Sequence, residues 1–217
     1  MGAIARSAAN NITTSGVFTS SAIANSSVTG ITVLANASDG ITLISSQTAS
    51  NSASISFTSG LTSTYKAYKF VYVNIAPRTD AVNFTFNLST DSGSNYNVTK
   101  TTTQFRATHF ENDSIANLLY DGSTDLAQST GEQILTAGNQ IGNGADESTS
   151  GTLTLFNPSS TTYVKHFIGD MNYYSYDNAS YRSFIAGYAN TTSAINAIRF
   201  KMDSGNIDGK IYLYGIK

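Results

Sequence analysis

The chain has 217 residues, enough for one generous domain that buries about 70% of its unfolded surface. Charged residues make up 12% of it, and Ser, Thr, Asn and Gly carry the polarity instead, which suits turns and pleated strands better than solvent-facing helices. A formal net charge of -2 with scattered Lys and Arg excludes a nucleic-acid or anionic-membrane footprint, and the lack of cysteine excludes disulfides and thiolate chemistry.

Residues 1–50 hold only two charged side chains, Arg6 and Asp39, with brief apolar insertions at Gly16-Val17-Phe18 and Ile31-Thr32-Val33-Leu34. These insertions are too short and too far apart to close a core, yet the segment lacks the charge and proline of a solvated tail. It reads as an extended N-terminal arm that orders against a partner, with plain disorder as the alternative. Fully extended, it would reach on the order of 160 Å at ~3.3 Å per residue. Met1-Gly2 does not fit a myristoylation signal, because Arg6 stands where Ser or Thr is required. The N-terminus has no apolar run of signal-peptide type, and no stretch approaches the ~20 apolar residues of a membrane span. These features predict a protein made in a cytoplasm and not inserted in a membrane.

Residues 51–217 form the second part, a β domain. Residues 41–46 and 53–58 are the first predicted strands, Ile55 and Phe57 sharing a face in the second. Residues 65–75 are dense in aromatic and β-branched side chains on both faces and predict a central strand. Pro77 interrupts the ladder. Beyond it Val82, Phe84, Phe86 and Leu88 alternate with polar residues, so the next strand is expected to be half buried and to pair antiparallel with 65–75 around one turn. Asp91-Ser92-Gly93-Ser94-Asn95 is a turn rather than a calcium loop, since it offers a single carboxylate.

Residues 98–110 predict a long strand whose alternation rests on threonine, so one face is wet or meets another subunit. His109 beside Glu111 and Asp113 is a minimal set for proton transfer or metal binding. Nothing else in the chain completes it, and a loop-edge histidine is the simpler reading. Residues 117–151 are the least periodic, with a short helix expected within 114–120 or 125–135 and long loops around it. Strands resume at 151–156, 161–168, 184–188, 194–202 and 210–216. Tyr173, Tyr174, Tyr176 and Tyr181 cluster in a stretch broken by Asp170, Asn172, Asp177 and Asn178, which predicts a loop. Clustered tyrosines can cover the end of a core, join subunits or grip a ligand, because each offers a rigid face with a hydrogen-bonding tip. Together these segments predict an all-β chain of eight to ten strands, an antiparallel β-sandwich of the jelly-roll kind.

Nucleophile-elbow, phosphate-loop, zinc-protease and dinucleotide signatures are all missing from the sequence. Fourteen scattered acids do not nominate a glycosidase pair, and the many N-x-[ST] sequons follow from composition. No catalytic, cofactor-binding or metal-binding residue is predicted, and the chain does not read as an enzyme.

Three features carry a resemblance: Ala3-Ile4-Ala5-Arg6 leading into Asn10-Asn11-Ile12-Thr13-Thr14-Ser15-Gly16, the block Ile55-Ser56-Phe57-Thr58-Ser59-Gly60 with Tyr65, and the terminal Ile211-Tyr212-Leu213-Tyr214-Gly215-Ile216. In these the chain resembles the tail-fibre-like virion structural proteins of marine bacteriophages, notably those of cyanobacteria. The resemblance implies a homotrimeric particle component that contacts other virion proteins of the head or tail, as a head decoration, head fibre or tail fibre piece. The alternative function is a receptor-binding adhesin for a host-surface glycan, served by the long loops and the four tyrosines.

Overall fold

The computed structural model describes residues 40–217, and among these there is no helix. Twelve strands form two antiparallel sheets: β1 (Ile41–Ser52), β2 (Ile55–Phe57), β3 (Ala67–Pro77), β4 (Phe84–Ser89), β5 (Lys100–Phe110), β6 (Ala116–Tyr120), β7 (Gln133–Ile134), β8 (Thr149–Phe156), β9 (Lys165–Ser175), β10 (Ala179–Ala189), β11 (Ala197–Met202) and β12 (Ile207–Ile216). The larger sheet runs β1-β12-β3-β8-β9-β10-β5-β6 and the smaller β2-β11-β4-β7. They pack face to face as a sandwich through aromatic side chains. Phe200 of the small sheet lies 5.3 Å from the Phe70 ring and 5.2 Å from the Tyr72 ring, and Phe86 meets Phe167 edge-on at 5.2 Å. β1 to β4 alternate between the sheets, as do β7 and β8, then β11 and β12. The hairpins β5–β6 and β9–β10 belong to the large sheet alone and widen it.

Several expectations change here. β3 and β4 do not pair; they lie in different sheets, and the segment after Pro77 carries the chain from one to the other. β3 buries Tyr68, Phe70, Tyr72 and Ile75 against the small sheet, while Val73 on its other face is exposed, so this central strand packs on one face only. β4 is buried on both faces rather than half buried. Its polar residues Thr85, Asn87 and Ser89 are covered through hydrogen bonds to Lys201, Thr130 and Asp91. The helix expected within 114–120 or 125–135 is replaced by β6 and β7. Residues 41–50, assigned by composition to the arm, form most of β1, which pairs along β12. Residues 1–39 of that arm lie outside the described residues.

Opposite the widened part of the large sheet the small sheet contributes its two-residue edge strand β7. The rest of the segment between β6 and β8 completes the cover, burying Leu135, Ala137 and Ile141. A covering loop brings backbone groups that need partners away from water, and the sheet supplies them from polar side chains. Gln104 donates to the Ile134 carbonyl at 3.2 Å, Thr102 accepts from the Leu126 N–H at 2.8 Å, and Ser183 accepts from the Ala137 N–H at 3.2 Å. Gln133 closes the layer by donating to Gln104 and accepting from Thr102. Arg106 pairs with the buried Asp121 and lies against Gly138. A side chain at Gly138 would strike Arg106 and would also have to adopt φ +103.

Candidate interaction surface

The four tyrosines separate into two kinds. Their stretch is the β9–β10 hairpin and not an irregular loop, with Asn178 at φ 60 in the turn and Tyr181 paired across the strands with Tyr173. Strand alternation sends Tyr173 and Tyr181 inward, where their rings stack at 5.2 Å and the Tyr173 hydroxyl donates to the Ala137 carbonyl. Burial raises both hydroxyl pKa values, that of Tyr181 to about 12. Both side chains are buried in the described residues. Tyr174 is half buried, its hydroxyl 3.0 Å from the Asn178 side-chain oxygen, and only Tyr176 stands exposed at the turn.

His109 is exposed near the end of β5 and sits 3.0 Å from Asp113. With Glu111, Asn172, Tyr174 and Ser180 it lines a shallow cleft of about 460 Å³. Among the described residues no group of three or more His, Asp or Glu converges as a metal site.

The broadest feature is the outer face of the widened sheet. Cross-strand partners share a face, so the register places Tyr120, Phe105 and Phe184 in one row and Thr103, Ala186 and Ile168 in the next, with Leu118 opposite Ala107. Four of these side chains are open to solvent: Leu118 at 67%, Tyr120 at 61%, Ile168 at 55% and Phe105 at 42%. Phe105 stacks on Phe184 at 4.7 Å, the Arg182 guanidinium lies 4.5 Å over the Phe184 ring, and Arg182 is held bidentate by Asp170. The result is an aromatic platform with one ion pair at its rim. Two grooves continue it, one between Thr103, Phe105, Ile168 and Phe184, the other between Thr101, His166, Ala186 and Tyr188.

β6 is the free edge of this sheet. All five of its residues are exposed and none is charged, although charge is a common device that keeps an edge from pairing with another chain. Threonine alternation in residues 98–110 points to a wet or subunit-facing side, but nothing in the sequence joins Phe184, Ile168, Leu118 and Tyr120 to it. The signal available for β6 was Leu118-Leu119-Tyr120, three apolar residues in a row where a half-buried strand would alternate.

Among the described residues no helix is long and apolar enough to cross a membrane. No family model, curated protein or solved structure matches the chain.

Proposed function

We propose that the chain is a non-enzymatic structural component of a bacteriophage virion, an external appendage of head or tail, made in the host cytoplasm and anchored by its N-terminal arm. The observation that carries this reading is the exposed aromatic and aliphatic outer face of the widened sheet, ending in the uncharged edge β6. A lone soluble domain leaves few such faces uncovered, and large ones mark contact surfaces. The assembly is a homotrimer with this face between subunits. The domain itself is a jelly roll: without those two hairpins its sheets read β1-β12-β3-β8 and β2-β11-β4-β7, the order that paired Greek keys produce. The resemblance in the N-terminal leader and the terminal strand supports the particle assignment.

Light scattering of the full chain tests the assembly. The expected mass is about three times the 23.0 kDa monomer, and Phe105→Ser with Ile168→Ser should return it to one. A monomeric parent chain at micromolar concentration would count against the trimer. Deleting residues 1–39 should leave the β domain folded and unable to join particles, and normal incorporation of that truncation would remove the docking role from the arm.

A glycan-binding adhesin is the second reading. It rests on the cleft at the β9–β10 hairpin, where the half-buried Tyr174 ring stands beside Asn172, Ser180, His109 and Glu111, a combination of stacking face and hydrogen-bonding groups suited to a sugar. Loss of host-cell binding in Tyr174→Ala, with assembly intact, would select this reading over a purely structural one.

A further inference from the structure

A buried lysine stands against a buried carboxamide at the crossing between the two sheets. Lys100, the first residue of β5, is fully excluded from solvent. Its Nζ donates to the Asn87 Oδ1 at 2.6 Å and to the Val98 carbonyl at 2.8 Å, both neutral oxygens. None of the five ion pairs among the described residues includes it. An ammonium buried without an ion-pair partner is costly, so burial raises the share of neutral amine there.

Asn87 is equally buried in β4, and its carboxamide is held at both ends. Oδ1 accepts a second hydrogen bond from the Leu88 N–H at 2.9 Å, and Nδ2 donates to the Thr130 carbonyl at 3.0 Å. The third member is Glu132, two residues beyond the Thr130 whose carbonyl holds Asn87, and its Oε1 accepts from Arg199 at 2.5 Å. Arg199 lies directly opposite Asn87 in the β4–β11 register. The other carboxylate oxygen, Glu132 Oε2, is buried and has no hydrogen-bond partner. A buried carboxylate oxygen without a partner is a costly arrangement.

We infer that Lys100 and Asn87 condense within the folded chain to an isopeptide bond, with Glu132 carrying the proton and ammonia as the leaving group. The neutral Nζ moves from Oδ1 to the adjoining Cγ and forms the new C–N bond. The carbonyl electron pair goes to Oδ1, where the Leu88 N–H stabilises the oxyanion. Nζ then gives one proton to the Glu132 carboxylate, and Glu132 passes it to Nδ2. The oxyanion collapses, the Cγ–Nδ2 bond breaks and ammonia departs. An amine and a carboxamide become one amide and one ammonia, so the step needs no oxidant, reductant or co-reactant.

Burial pulls the Lys100 ammonium down to about 8, against a weaker opposing effect of the Glu132 charge, so the nucleophilic amine is populated near neutral pH. The fold holds the reacting groups together and supplies the proximity that such an unreactive amide requires. The product ties β4 of the small sheet to β5 of the large one by a bond that denaturant and force do not open. It is a single self-modification without turnover, independent of where the protein sits on a particle.

Intact-mass measurement of the full chain decides the matter, with Lys100→Arg as the reference. The parent should weigh about 17 Da less than its sequence, one ammonia lost, as expected when an amine displaces an amide nitrogen. Trypsin should fail to cut after Lys100, giving one internally linked peptide spanning 79–106. Lys100→Arg and Glu132→Gln should both show full mass while far-UV circular dichroism reports a folded β protein. Full mass in the parent with cleavage after Lys100 overturns the inference. A deficit that persists in Lys100→Arg also overturns it, because Asn87 would then have cyclised on its own backbone. A deficit that persists in folded Glu132→Gln removes the proton carrier from the scheme.

Discussion

The long strands in the two halves of the large sheet, β3 and β12 in one and β5 and β10 in the other, are alike at ten or eleven residues, yet they are held from within by different physics. Under β3 and β12 the opposing small sheet satisfies its own backbone, so the interface is free to be apolar, and Phe57, Phe70, Tyr72, Phe84 and Phe200 fill it. Under β5 and β10 the cover is the short strand β7 with the loops on either side of it, where N–H and C=O groups outside a ladder need partners, and the large sheet answers with Thr102, Gln104 and Ser183. The composition of a β interior thus follows from what lies opposite. A sheet permits hydrophobic packing, whereas a loop demands hydrogen-bonding side chains at defined positions.

That contrast can be broken most severely at Phe200, whose ring meets those of Phe57, Phe70, Tyr72, Phe84 and Phe86. Phe200→Ala should cost about 3–5 kcal/mol in urea unfolding, through lost burial and the cavity left behind. Gln104→Leu probes the polar half. It is nearly isosteric and more apolar, yet it should destabilise by about 1–3 kcal/mol, because the Ile134 carbonyl, Ser183 and Gln133 lose a partner. A neutral or stabilising result would show that the loop finds its hydrogen bonds elsewhere.

The outer face should respond oppositely to both. Phe105→Ser or Ile168→Ser, measured in the monomer, should change stability by less than about 0.5 kcal/mol while abolishing self-association. A large stability loss in the monomer would mean that the platform serves the fold rather than a partner.

The smallest effects are in pH dependence, where interior and surface again differ. Burial raises Tyr181 to about 12 from 10.0, so its contribution is complete below pH 10 and is lost as pH rises through 12. Tyr181→Phe should flatten that alkaline slope. In the surface turn after β4, hydrogen bonds from Ser89 and Asn95 hold Asp91 down at about 2 from 3.8. Its contribution is present above pH 3.8 and disappears as pH falls toward 2, so Asp91→Ala should remove an acid-limb slope and leave the alkaline limb unchanged.

Local chemistry made much of this legible from the chain alone. Alternation announced β4, Ile55 and Phe57 marked β2, and the Asp91 turn is built as its residues suggest, with Ser92 and Gly93 at positive φ. The all-β, antiparallel sandwich followed from many short strands between turns. What alternation reports is which side chains share a face, and that property is local. Whether β3 and β4 pair or stand in opposing sheets depends on distant strands, β12 and β8 for one and β11 and β7 for the other. The tyrosines show the same limit: four similar residues within nine positions became two buried and stacked, one half buried and one exposed, because the β9–β10 hairpin and the Ala137 loop meet on one face only. Composition fixed the kind of interior the chain can build. Tertiary structure decided where Lys100 would stand, because nothing local to Lys100 or Asn87 states that β4 and β5, in different sheets, will bring the two side chains together.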